Sequence, residues 1–94
     1  MPVRESTVER RFTLLARRRG GVAFKWVSPG RAGVPDRMLM LPGGRLYLVE
    51  LKRPGGRPRP LQVEMHRRLA ALGFPVYVVD DADAFYRTVV DGDA

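Results

Sequence analysis

The feature that most constrains this chain is the tripeptide Pro42-Gly43-Gly44, set between two apolar runs, Asp36 to Leu41 and Arg45 to Lys52. A three-residue connection with a glycine in the left-handed region closes an antiparallel hairpin, and the loop length then dictates every cross-strand partner. Leu41 is expected to face Arg45, Met40 to face Leu46, Met38 to face Leu48 and Asp36 to face Glu50. Because side chains alternate across a strand, one face carries Met38, Met40, Leu46 and Leu48, with Asp36, Glu50 and Lys52 at its open end. Directly opposed residues have Cβ atoms about 5 Å apart, so the two carboxylates repel unless a positive charge lies beside them.

Around this hairpin the periodicity changes. Val8, Phe12, Leu15 and Ala16 recur at helical spacing within Glu5 to Arg19, Ser6-Thr7-Val8-Glu9 has the form of a capping box, and Gly20-Gly21 ends the helix. Val22 to Val27 reads as a strand, followed by the turn-rich segment Ser28 to Gly33. After the basic, proline- and glycine-rich loop Arg53 to Pro60, a helix begins at Pro60 with Leu61, Met65, Leu69 and Leu72 as its apolar stripe. Gly73 and Pro75 stop that helix, Val76 to Val79 forms a further strand, and Asp81 caps a last helix, Ala82 to Val90, with Phe85 and Val89 inward. The expected fold is α/β, a small mixed sheet flanked by helices in the order α-β-β-β-α-β-α, with residues 1–94 as one domain.

Composition narrows the chemistry. Without cysteine, disulfides and thiolate metal sites are excluded, and a metal must use oxygen donors or the lone His66. No apolar run approaches the roughly 20 residues that span a bilayer, so no membrane association and a cytoplasmic location are expected, in the host cytoplasm if the source is a phage. The formal charge of +7, carried almost entirely by arginine, favours a polyanionic partner.

Phosphodiester hydrolysis needs an activated water and an answer to the charge that grows on phosphorus oxygens, and a hard divalent cation supplies both. Mg2+ commonly takes one or two carboxylates from a protein, and Asp36 and Glu50 offer these, with the Leu51 backbone carbonyl as a further oxygen. Lys52, two residues beyond Glu50 and on the same face, can orient water or stabilise the developing charge.

Pro35-Asp36 followed by Glu50-Leu51-Lys52 resembles the PD-(D/E)xK nuclease signature. The wider frame of GVPD, VELK and Pro60-Leu61-Gln62 is similar to its VRR-NUC (virus-type replication-repair nuclease) branch, over about Glu9 to Val79. The resemblance implies a restriction-endonuclease-like fold, dependence on Mg2+ or Mn2+, and cleavage of branched DNA such as four-way (Holliday) junctions by a homodimer of the stand-alone phage or bacterial type. It also implies metal-ligand roles for Asp36 and Glu50, a catalytic role for Lys52, a site role for the helix-borne Gln62, and an acid from the first helix at Glu9. The family often has a small hydroxyl residue shortly before the glutamine, where this chain has Arg59-Pro60-Leu61.

Alternatives stand beside these assignments. Glu9 also fits the capping box, and Gln62 also fits an ordinary first-turn position. His66 shares a helix face with Gln62 and reads as a surface histidine on a basic helix. Arg31, Arg53, Arg57 and Arg59 are the expected DNA contacts, positioning the backbone without reading its sequence. A nicking or flap endonuclease subunit and a catalytically silent DNA-binding module are the competing functions.

Overall fold

The computed structural model describes residues 2–93. Helix α1 (Glu5–Arg18) leads into a four-stranded sheet of β1 (Val22–Lys25), β2 (Arg37–Leu41), β3 (Arg45–Leu51) and β4 (Val76–Val79). Helix α2 (Pro60–Ala71) connects β3 to β4, and α3 (Ala82–Phe85) follows β4. The sheet order is β1-β2-β3-β4, antiparallel between the first three strands and parallel between β3 and β4. Parallel neighbours need a long crossover, and α2 supplies it.

The hairpin forms in the expected register, with Leu41 opposite Arg45, Met40 opposite Leu46 and Met38 opposite Leu48. Gly43 and Gly44 both adopt positive φ, 87° and 74°, which turns the chain within three residues. Arg37 pairs with Val49, so Asp36, one residue before β2, continues the ladder toward Glu50.

The main core lies on the opposite sheet face from the one read as the apolar platform. Leu39, Leu41, Tyr47, Val49, Leu51 and Val79 pack against Val8, Phe12, Leu15 and Ala16 of α1 and against Ala82, Phe85, Tyr86 and Val90 at the C-terminal end. The rings of Phe12, Phe85 and Tyr86 meet at 5.2–6.0 Å, and the Tyr86 hydroxyl donates to the Phe12 carbonyl at 2.8 Å. On the other face Leu48 is buried, but Met40 and Leu46 are about half exposed. Strand β3 is apolar on both faces because helices lie on both sides of it, so alternation alone does not identify the deeper one.

Other local expectations change for identifiable reasons. Strand β1 ends at Lys25, and the Trp26 amide donates to the Asp36 carbonyl at 2.9 Å, tying the next loop to the start of β2. Helix α1 begins at Glu5 with Arg4 as its N-cap and no side-chain cap bond, so Ser6 and Glu9 do not form the capping box. No residue of α2 is fully buried, and Leu61 and Leu72 of its expected stripe are mostly exposed. Asp81 caps α3 as expected, accepting from the Ala84 amide at 3.0 Å. The helix then widens into a π-helical segment, Tyr86–Val90, which brings Tyr86 and Val90 into the core and leaves Val89 only partly buried. The acidic end docks: Asp91 pairs with Arg19 at 2.8 Å and Asp93 accepts from the Tyr47 hydroxyl at 2.6 Å. Among the described residues no helix is long and apolar enough to cross a membrane.

One glycine ties this fold to the proposed site. Gly33 has φ 84°, and a Cβ there would lie 2.7 Å from the Leu61 carbonyl oxygen and 3.3 Å from the Gln62 Cα. The loop carrying Asp36 is thereby packed directly on the first turn of α2. Gly33→Ala is expected to destabilise the protein by about 1–3 kcal/mol, from the left-handed backbone alone, with the steric overlap adding to it. A urea midpoint lowered without a change in slope is the expected readout, and an unchanged midpoint contradicts the close approach.

Candidate active site

The site is assembled at the open end of the β2–β3 hairpin, where α2 crosses it. Glu50 projects from β3 onto the α2 side and its side chain is only 4% exposed. Its Oε2 accepts from the Gln62 amide nitrogen at 3.1 Å and lies 3.5 Å from the Lys52 ammonium. The Gln62 carbonyl oxygen accepts from the same Lys52 Nζ at 3.1 Å and from the Arg59 amide at 2.8 Å. One side chain therefore caps the start of α2 and holds Glu50 and Lys52 in fixed relation, so both roles open to Gln62 are present together. Asp36 approaches from the neighbouring strand, its Oδ1 accepting from the Leu51 amide at 3.2 Å.

The electrostatics follow from this crowding. Burial is the main cause that pushes the Glu50 carboxyl above its ordinary range; repulsion from Asp36 adds to it and the Lys52 charge opposes it. Asp36 is also raised, again mainly by burial, with the Leu51 amide and the charges of Arg37 and Lys52 working in the other direction. Glu5 contributes repulsion to both carboxylates. His66 faces Glu50 from α2, with Nε2 3.8 Å from Oε1, and burial followed by the Lys52 charge lowers its pKa.

The residues singled out in the sequence divide accordingly. Asp36, Glu50, Lys52 and Gln62 come together through the contacts above. Leu51 meets Asp36 through its amide, while its side chain lies in the core. Glu9 is engaged elsewhere: its Oε1 is 2.7 Å from Nη2 of the buried Arg37, whose Nη1 stands 3.9 Å from Asp36 Oδ2. Arg37 thus links Glu9 to the site at one remove. Glu5, one helical turn earlier, is the α1 acid whose charge both site carboxylates feel. Its signal in the sequence was the four-residue spacing from Glu9, which puts both acids on one helix face. Arg31, Arg53, Arg57 and Arg59 are all exposed, and the loop that carries the last three is pinned where the Gly55 amide donates to Asp80 at 3.0 Å.

A hard divalent cation suits this donor set. Glu50 Oε1 is buried without a hydrogen-bond partner, two carboxylates repel across the hairpin, and a cation relieves both conditions. Among the described residues no three Asp, Glu, His or Cys side chains come together as a ready metal cage.

No protein-family model matches the chain. Among curated proteins, the chain is 48% identical over 81 residues to "Putative nuclease p44" of Acyrthosiphon pisum secondary endosymbiont phage 1, covering 86% of this chain and 87% of that protein. Among solved structures, it superposes on one described as a "VRR_NUC domain" with a TM-score of 0.80 and 29% identity, covering 92% of this chain and 94% of the other.

Proposed function

The chain belongs to the VRR-NUC family of nucleases, and from that premise we propose that it is a metal-dependent, structure-specific DNA endonuclease of the PD-(D/E)xK type that cuts four-way junctions as a homodimer. The observation that carries this reading is the Gln62 bridge, which joins a buried acid to a lysine beside a second acid. A surface ion pair needs no such support, and is worth at most about 1 kcal/mol.

In this reading Asp36, Glu50 and the Leu51 carbonyl hold Mg2+ or Mn2+, with Glu5 as the acid nearest to them in charge from α1 and Glu9 acting through Arg37. When bound, the cation supplies Lewis acidity, lowering the pKa of water and neutralising charge on the phosphate. Lys52, held by Gln62 and Glu50, presents its ammonium to the same region and stabilises the negative charge that develops on phosphorus oxygens. Arg31, Arg53, Arg57 and Arg59 bind backbone phosphates on either side of the site, which recognises shape and leaves sequence unread.

The homodimer has a candidate surface in the sheet. Val22 and Met40 are register partners, as are Met40 and Leu46, and Phe24 lies beside them on the same face. These four side chains are each 44–49% exposed, a contiguous apolar patch at the end of the sheet that α2 leaves open. A second copy covering it would supply the two sites that paired incision requires.

The test compares four-way, flap, nicked and linear DNA in Mg2+, with sedimentation of the wild type and Leu46→Asp. Paired nicks placed symmetrically about the junction are expected, together with a wild-type dimer and a folded, monomeric Leu46→Asp that no longer makes paired cuts. Single nicks on all substrates from a monomeric wild type overturn the junction-resolving dimer and leave the nicking reading.

A further inference from the structure

Most acids away from the site are already committed within the fold. Asp80 accepts from the Gly55 amide, Asp81 caps α3, Asp83 pairs with Arg11, and Asp91 and Asp93 bind Arg19 and Tyr47. Glu50 Oε1 and His66 Nε2 differ from all of them. Both are buried from solvent and without a hydrogen-bond partner, and they face each other across 3.8 Å.

That separation is too long for a hydrogen bond. It is short enough for one cation to bond both atoms, since imidazole nitrogen and carboxylate oxygen ligands each sit about 2.0–2.2 Å from a metal. The placement follows from the helix: His66 lies one turn beyond Gln62 on the same face, and Gln62 occupies the other oxygen of the same carboxylate. With Oε2 held by Gln62 and Lys52, Oε1 is left directed at the imidazole. Two buried polar atoms left unpaired are costly, and a shared ligand removes that cost.

We propose that His66 is a nitrogen donor to the cation held by Glu50, and that it sets the metal preference of this site toward transition metals. This deepens the metal-dependent reading above and rests on it. Mg2+ strongly favours oxygen, whereas imidazole adds affinity along the series from Mn2+ to Co2+ and Ni2+. A site with Asp36 and Glu50 alone has no such reason to rank them so steeply.

Calorimetric titration of the full chain with Mg2+, Mn2+ and Ni2+ tests this in the wild type, His66→Ala and His66→Asn. Both variants are expected to lose roughly tenfold or more in Ni2+ affinity, less in Mn2+ affinity, and about twofold or less in Mg2+ affinity. Because the chain has a single histidine, its 15N spectrum reports the wild type without any substitution. The Nε2 resonance is expected to move strongly on saturation with diamagnetic Zn2+. An unmoved resonance at saturation, or equal losses for all three metals, overturns the role of His66 and leaves the metal-dependent reading standing. A wild type that binds none of these metals overturns both.

Discussion

Lys52→Ala is expected to bind junction DNA and metal but to cut about 10²- to 10³-fold more slowly than the wild type, the loss typical of one removed charge stabiliser at a reacting oxyanion. The ammonium sits 3.1 Å from the Gln62 carbonyl oxygen and 3.5 Å from Glu50, too close to that carboxylate to act only on the DNA at a distance. The same substitution has a second signature. The Lys52 charge lowers the pKa of both Glu50 and Asp36, so its removal moves metal binding to higher pH. Turnover at saturating metal and the pH dependence of Mg2+ affinity are the two measurements. Full activity in the variant contradicts the catalytic assignment, and a large loss of DNA affinity assigns the lysine to binding.

Glu50→Gln is expected to reduce cleavage by on the order of 10³-fold, because several kcal/mol of metal-derived charge stabilisation depend on that carboxylate. In the absence of metal the same variant is expected to melt at a higher temperature than the wild type near pH 7. The sign follows from the raised pKa: folded Glu50 holds its proton more tightly than the unfolded chain does, so its contribution to stability is present below the ordinary glutamate range and lost as pH rises through the folded value. A neutral amide removes that loss and still offers an oxygen to Lys52. The stability difference should vanish in acid, below the ordinary glutamate range, and added Mg2+ should stabilise the wild type far more than the variant. A variant that is less stable than the wild type at neutral pH contradicts the burial of an unfavourable charge.

The parts of this site legible in the sequence were those set by turn length and alternation. Pro42-Gly43-Gly44 determines the partner of every residue in the hairpin, and that register carries Asp36 toward Glu50. The α1 stripe of Val8, Phe12, Leu15 and Ala16 was equally plain, since one face of that helix is deeply buried. What alternation could not show was which face of β3 lies deeper, because Leu46, Leu48, Tyr47, Val49 and Leu51 are apolar on both. Helix α2 differs for a related reason: Leu61 and Leu72 look like core residues but are exposed, whereas the helix meets the end of β3 through its polar Gln62 and His66. The capping-box reading of Glu9 rests on a local pattern that α1 does not use, and the partner that claims Glu9, Arg37, is remote in sequence. His66 reads in the sequence as a surface histidine on a basic helix, yet its ring is mostly buried and faces an unpaired atom of Glu50 sixteen residues away, a tertiary fact with no periodic trace.

Cleavage of a labelled four-way junction by the purified chain in Mg2+, in Mn2+ and in EDTA tests the central claim most directly. Strand scission in either metal and none in EDTA is the predicted result. DNA that is bound but remains intact in every metal, or scission that persists in EDTA, contradicts the account.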